Sequence, residues 1–337
     1  MYYTGIDLHR KTSFFTTIDE SGQVVTKANL PNDDIRIMAY LEALGAETKI
    51  VVESTANWYW LYDLLTDKGF EIVISNPVKT KAIASARIKN DKLDSHMLAQ
   101  LLRADLVARV HASSRQTRQL KELLRHRSKL VHDCVRMKNR IHAIMAKNNL
   151  SAPASDLFGQ KGLVFLKQAP LPAYHRQQVQ TYLGLYQTIK TQVAELTACV
   201  HRQAKETMAA QLLMTIPGVG PITAMTLIAE IEDIGRFPSY RHLASYAGLV
   251  PALDASADKQ RLGHITKQGS PSLRTALVEA AQAATRTRNR LNVFFRRRIV
   301  RAGYRKAIVA TAHKITQYAY FILRDQTPYR ESPKAEA

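Results

Sequence analysis

Four acidic residues stand where strand-like runs end or a helix begins, and this placement constrains the fold of the chain more than any other feature. Asp7 closes the run Tyr3-Thr4-Gly5-Ile6-Asp7, and Glu53 closes Ile50-Val51-Val52-Glu53. Asp91 and Asp94 lie in Lys89-Asn90-Asp91-Lys92-Leu93-Asp94, where a helix is expected to start. Residues three apart share a helix face, so Asp91 and Asp94 can aim at one spot. Carboxylates at strand ends and on a helix face can converge to bind Mg²⁺, with Mn²⁺ as a substitute. Two such ions clamp a phosphate for displacement. The pattern implies chemistry on nucleic acid.

The elements around these acids alternate. Residues 2–7, 13–18 and 24–30 read as three strands, with Ser21-Gly22 as a turn signal between β-rich runs, which suggests a meander. Asn32 is a plausible cap for a helix to about Leu44. A buried strand at 49–53, a helix at 57–68 ended by Gly69 and a strand at 70–75 stopped by Pro77 follow. Residues 78–86 and 93–104 are helical in pattern. The order β-β-β-α-β-α-β-α-α is that of an RNase H-like α/β fold over 1–105. That topology sets the acid of the first strand beside the acid ending the fourth.

The rest of the chain reads as helical. Leu120, Leu124, Val131, Cys134, Met137, Ile141 and Ile144 recur at three- and four-residue steps along 114–148, broken by one seven-residue step between Leu124 and Val131. A second such helix spans about 174–207, and a Pro- and Gly-containing stretch, 151–172, separates the two. Together, 106–210 predict a long helical hairpin or coiled coil. A mainly α-helical domain is expected over 211–325, with 326–337 as a tail. It opens on Ile216-Pro217-Gly218-Val219-Gly220-Pro221, which reads as helix, glycine turn, helix. Gly218 and Gly220 would let backbone N–H groups approach a phosphate at a helix N-terminus.

Charge divides the chain in the same way. Residues 1–105 hold 12 Lys and Arg against 14 Asp and Glu, whereas 106–337 hold 36 against 14. The excess implies a polyanionic partner gripped by the second part. Within it, 109–147 carry 11 basic residues against 2 acids. Arg286, Arg288, Arg290, Arg296, Arg297, Arg298, Arg301, Arg305 and Lys306 crowd one stretch with no acid among them. Cys134 and Cys199 are too few for a disulfide framework and fit a reducing cytoplasm. Nothing reads as a signal peptide, and no apolar run is long enough for a membrane span.

Taken in order, Gly5-Ile6-Asp7, Val52-Glu53-Ser54-Thr55, 89–94, 216–220 and Arg261…Gly263…Thr266-Lys267…Gly269…Leu273-Arg274 resemble the DEDD transposases of bacterial insertion sequences, relatives of the Piv-type DNA invertases. The resemblance covers about residues 1 to 325. It implies that Asp7, Glu53, Asp91 and Asp94 are the metal-binding acids of a RuvC-like domain, and that a C-terminal transposase domain carries a nucleophilic serine. That serine's counterpart is Ser256, where the usual following glycine is Ala257. It implies a DNA transposase or site-specific recombinase, acting on donor and target DNA in the bacterial cytoplasm at the nucleoid. A structured RNA encoded by the element would select both DNAs. Arg261, Lys267 and Arg274 could neutralise charge in the transition state. Acids and serine on separate domains imply a composite site, and two exchanges at each of two junctions imply a homo-oligomer, a dimer or tetramer joined through the helical hairpin.

Two other functions fit parts of the pattern. A Holliday-junction-type nuclease would use the four acids and Mg²⁺ without a serine. A non-catalytic nucleic-acid-binding protein would keep the basic surface and a degenerate acidic domain.

Overall fold

The computed structural model describes residues 1–331, apart from Ala46, Ala56, 84–90, Ala154 and 257–258. The side chains of 81–93 and 253–262 are also outside the description. Two compact units are present, Met1–Ala112 and Ser113–Ala337.

The first unit is built on a six-stranded sheet in the order β3-β2-β1-β4-β5-β6. β1 (Tyr2–Leu8), β2 (Thr12–Ile18) and β3 (Val24–Pro31) form the expected antiparallel meander. β4 (Thr48–Glu53) pairs with β1 in parallel, and β5 (Glu71–Ser75) with β4 in parallel. A short β6 (Arg109–Val110), not foreseen in the sequence, adds an antiparallel edge against β5.

Alternation assigns the two faces of the sheet. Ile6, Phe15, Ile50 and Val52 point to one face and bury against Ile37 and Leu41 of α1 (Asp34–Glu42) and Leu61 and Leu65 of α2 (Tyr59–Asp67). Thr17 on this face accepts or donates to Tyr40 of α1 at 2.9 Å. Val51 and Val73 point to the other face, under Leu98, Leu101 and Leu102 of α4 (Asp91–Arg103). The preceding helix α3 spans Pro77–Ile83. The cap of α1 is Asp33 rather than Asn32: the Asp33 carboxylate accepts from the Arg36 amide at 3.0 Å, while Asn32 turns back to the β1–β2 turn.

The second unit is helical, as expected, with one exception. α5 (Arg115–Lys147) and α7 (Ala173–Glu206) form the predicted hairpin. Arg127 Nε donates to Thr197 Oγ1 at 2.7 Å, and Asn148 meets His175 at 2.9 Å, so the two helices run antiparallel. Two cores hold the hairpin. At its base Leu124, Val200 and Ala204 join the main core of the unit. Near the tip Met137, Ile141 and Ile144 pack on Val179, Leu183 and Tyr186, capped by Leu166 of α6 (Gln160–Gln168). The seven-residue step from Leu124 to Val131 falls in the gap between these cores.

The main core gathers α8 (Met208–Met214), α9 (Pro221–Ile231), α10 (Tyr240–Tyr246), α11 (Pro271–Ala284) and α12 (Arg290–Asp325), through Leu213, Ile216, Leu227, Leu243, Leu277 and Ile315. α12 is broken at Gly303, whose φ of 76° lies outside the helical region. The exception to the helical pattern is a two-stranded ribbon, β7 (Pro251–Ser256) with β8 (Lys259–Ile265). No helix among the described residues is long and apolar enough to cross a membrane.

Candidate active site

Asp7 and Glu53 sit at the same end of two neighbouring parallel strands. The β1–β4 ladder runs Gly5↔Val51, Ile6↔Val52. Asp7 and Glu53 are therefore the next residues of the two strands. They share side-chain parity with Gly5 and Val51, which places both carboxylates on the face that α4 covers.

Gly5 is what lets α4 lie there. A Cβ on Gly5 would stand 2.0 Å from the Ser95 carbonyl oxygen and 2.7 Å from the Ala99 nitrogen, so only glycine admits the α4 backbone at this distance from β1. The buried Ser95 hydroxyl bonds to Thr16 Oγ1 at 2.7 Å and pins the helix along the sheet. The direction of α4 follows from its other contacts. Gln100 Nε2 donates to the Gly22 carbonyl at 2.8 Å and Arg103 Nη1 to the Glu20 carbonyl at 3.3 Å. Both carbonyls belong to the β2–β3 turn, beside the start of β1. α4 thus runs antiparallel to β1, and its first turn, with Asp91 and Asp94, is directed toward the end that carries Asp7 and Glu53.

The immediate partner of Asp7 is His9, with Nε2 3.3 Å from Asp7 Oδ2. Among the described residues no three His, Cys, Asp or Glu side chains gather closely enough to hold a metal ion. The side chain of Asp91 lies outside the described residues. The donor set itself is carboxylate oxygen throughout, which suits a hard divalent cation such as Mg²⁺.

Ser256 ends β7. It pairs with Lys259 across a two-residue connection, and Asp254 pairs with Arg261. The side chains of Ser256 and Arg261 and the residues Ala257 and Asp258 are outside the described set. The base of this ribbon is clamped. The Thr266 amide donates to the Val250 carbonyl at 2.9 Å, and the Ser270 amide to the Tyr246 carbonyl at 3.2 Å. Arg274 Nη1 donates to the carbonyls of Ala247 and Lys267 at 3.3 and 3.2 Å. Arg274 therefore works at least in part as a staple of the ribbon. Lys267 adopts a left-handed backbone, φ 53°, in the same loop.

Residues 4–148 match a family model of DEDD transposases of the IS110 type, described as Transposase, and residues 210–296 match the model described as Transposase IS116/IS110/IS902 family. The chain belongs to the DEDD transposase family of bacterial insertion sequences. Relatives align along nearly the whole chain. The transposase for insertion sequence element IS1111A of Coxiella burnetii is 25% identical, covering 97% of this chain and 90% of its own length. The transposase for insertion sequence element IS1328 of Yersinia enterocolitica is 22% identical over 96% and 97%. The pilin gene-inverting protein of Moraxella lacunata is 25% identical over 97% of both chains. Membership carries DNA transposase or recombinase activity, with DNA as the substrate.

The basic residues of this transposase fall into two groups. Some serve the fold. Arg125 Nη2 pairs with the buried Glu230 at 3.0 Å, Lys138 lies 5.0 Å from the Phe158 ring centre, and Arg140 lies 5.3 Å from that of Tyr182. Burial pushes the Lys121 ammonium below the usual lysine range. By contrast, Arg296, Arg297, Arg298, Arg301, Arg305 and Lys306 are exposed on α12, and Arg286 and Arg288 are exposed in the segment before it. Arg298 lies over the Phe294 ring, 5.5 Å from its centre.

The glycines of the helix–turn–helix also separate. Gly218 has φ 88°, and a Cβ there would meet the Ala280 carbonyl oxygen of α11 at 2.2 Å, so packing alone requires glycine. Gly220 caps α9, and nothing lies within 4 Å of where its Cβ would be. The approach to phosphate expected of both glycines thus has open space at Gly220 only.

Proposed function

We propose that this transposase cuts and rejoins DNA with a Mg²⁺-dependent acidic site in an RNase H-like first unit and a serine nucleophile in the second. The observation that carries the reading is the register of β1 and β4. It supports Asp7 and Glu53 as one carboxylate pair, on the face covered by the helix that brings Asp91 and Asp94. These four residues would hold Mg²⁺. Bound there, the metal would polarise the phosphate and offset the charge that develops on it.

The chain's own residues have distinct tasks in this scheme. Ser256 Oγ forms a bond to phosphorus as a strand P–O bond breaks, and the departing strand end leaves as a hydroxyl that takes the serine proton. The serine phosphodiester keeps the bond energy, so a strand hydroxyl can later displace Ser256 and rejoin the DNA. Lys267 and Arg261 flank the phosphate electrostatically. The exposed arginines 296–298 and the open N-terminus of α9 at Gly220 grip backbone phosphates without reading bases. A structured RNA encoded by the element is the second polyanion, and it directs the enzyme to donor and target. By domain the chain is read as the catalytic domain, 1–105, the hairpin, 106–210, and the transposase domain, 211–325. The active form is a homo-oligomer joined through the hairpin.

Trapping tests the scheme. A labelled suicide DNA substrate is incubated with the parent and with Ser256→Ala, and the products are separated under denaturing conditions. The parent yields a protein-linked DNA band. Ser256→Ala yields none, yet binds nucleic acid as the parent does. A band with Ser256→Ala places the nucleophile elsewhere. Cleavage by the parent without any linked band favours a Holliday-junction-type nuclease.

A further inference from the structure

The turn that follows Asp7 is braced by two asparagines from distant parts of the first unit. His9 begins this turn, its amide donating to the Thr12 carbonyl at 3.1 Å. The His9 carbonyl accepts from Asn32 Nδ2 at 2.9 Å and from Asn57 Nδ2 at 3.0 Å. The asparagines differ in what stands behind them. Asn32 follows β3, and its carbonyl oxygen accepts from the Ser13 hydroxyl at 2.6 Å, so it ties the turn to the meander. Asn57 lies four positions after Glu53, and its oxygen accepts from Thr55 Oγ1 at 3.2 Å. Thr55 is itself folded back, its amide donating to the Glu53 carbonyl at 2.8 Å. Asn57 therefore links the turn leaving Asp7 to the loop leaving Glu53.

We propose that Asn57 is a positioning residue for the carboxylate pair, fixing the spacing of the two acid-bearing strand ends and seating the His9 imidazole against Asp7. The inference rests on the acids being the metal site proposed above. Asp7 and Glu53 stand one residue beyond the last β1–β4 pair, Ile6↔Val52; each pairs outward, Asp7 with Phe14 and Glu53 with Ser75, but no β1–β4 pair joins them to each other. The Asn57 link, just beyond them, joins the two strand ends where the β1–β4 ladder has stopped. His9 Nε2, 3.3 Å from Asp7 Oδ2, is carried on the residue whose carbonyl Asn57 holds. Partners of metal ligands set ligand orientation, and their loss typically costs about 10- to 100-fold in metal affinity or activity.

Mn²⁺ titration of the full chain, followed by the free-ion electron paramagnetic resonance signal, tests this without any DNA. Asn57→Ala should weaken Mn²⁺ binding by about tenfold. Asn32→Ala removes a donor to the same carbonyl but leaves the link between the two acid loops, and should change binding far less. Asn57→His offers a ring N–H near the place of the lost amide and should recover most of the loss. In strand cleavage, Asn57→Ala should need more Mg²⁺ but approach parental turnover at saturation. Should Asn57→Ala not fold, Asn57→Ser gives the same comparison. Equal Mn²⁺ affinity in Asn57→Ala and the parent overturns the inference, and so does an equal loss in both alanine variants. A parent chain that binds no Mn²⁺ overturns the acidic-site reading and this inference with it.

Discussion

The two units solve opposite electrostatic problems. Residues 1–112 hold 13 Lys and Arg against 14 Asp and Glu, and gather acids at one end of a sheet. Residues 113–337 hold 35 against 14, spread over helices. In the first unit position carries the proposed meaning: Asp7 and Glu53 stand side by side near the same end of adjacent parallel strands. In the second, the total overstates what is available to a partner. Arg125 serves the buried Glu230, Lys138 and Arg140 lie against aromatic rings, and Arg274 staples main chain. The arginines 296–298 of α12 are exposed, and in the proposed reading they are the ones that meet phosphates. A charge count identified the class of partner, and only the packing sorts gripping residues from structural ones.

The largest effect should come from the close approach that builds the acidic site. Gly5→Val must push α4 off β1, because its Cβ would lie 2.0 Å from a backbone oxygen. We expect a loss of ~3 kcal/mol or more in the first unit's stability, measured by urea unfolding. Gly220→Ala in the second unit meets open space and should cost no more than ~1 kcal/mol. Equal costs would remove the distinction between a unit set by tight positioning and one set by charge.

The arginines come next. Replacing Arg296, Arg297 and Arg298 by Ala should lower polyanion affinity and reduce the salt slope by about 3 if each meets a duplex phosphate, with stability nearly unchanged. Arg125→Ala should do the reverse, because it leaves the buried Glu230 carboxylate without the Arg125 guanidinium and so destabilises the fold. Fluorescence anisotropy across a salt series, paired with thermal unfolding, separates the two kinds of arginine. Identical behaviour would mean that exposure does not mark the gripping residues.

The smallest effect is the pH dependence that His313 gives the second unit. Burial of His313 in α12 holds its imidazole below the usual value of 6.5, with Lys314 adding to the shift. The unfolded chain therefore takes up the proton first as pH falls. This contribution to stability is present above pH 6.5 and is lost as pH drops below it toward the folded value. A shallow loss of stability on acidification is expected, and His313→Phe should flatten it. An unchanged slope in that variant would assign the proton uptake elsewhere.

Much of the first unit was legible because strands and helices there alternate with clear periods. The parallel neighbours β1 and β4, and hence the acid pair, follow from that order. The asparagine brace was not legible. Asn32 looks like a helix cap and Asn57 like a helix start, while their shared partner is a carbonyl 23 and 48 positions away. The β7–β8 ribbon was missed because Asp254, Ser256, Lys259, Gln260 and Arg261 give it little of the apolar, β-branched character of a strand. Gly218 was read as a phosphate contact, and its contact with α11 depends on tertiary packing that local pattern does not encode.

Replacing Asp7 by Ala reads the role of the acid pair in one step. The account predicts that Asp7→Ala folds as the parent does, binds nucleic acid with parental affinity, and gives no strand cleavage or recombination at any Mg²⁺ or Mn²⁺ concentration. Recombination at the parental rate by a folded Asp7→Ala protein would contradict it.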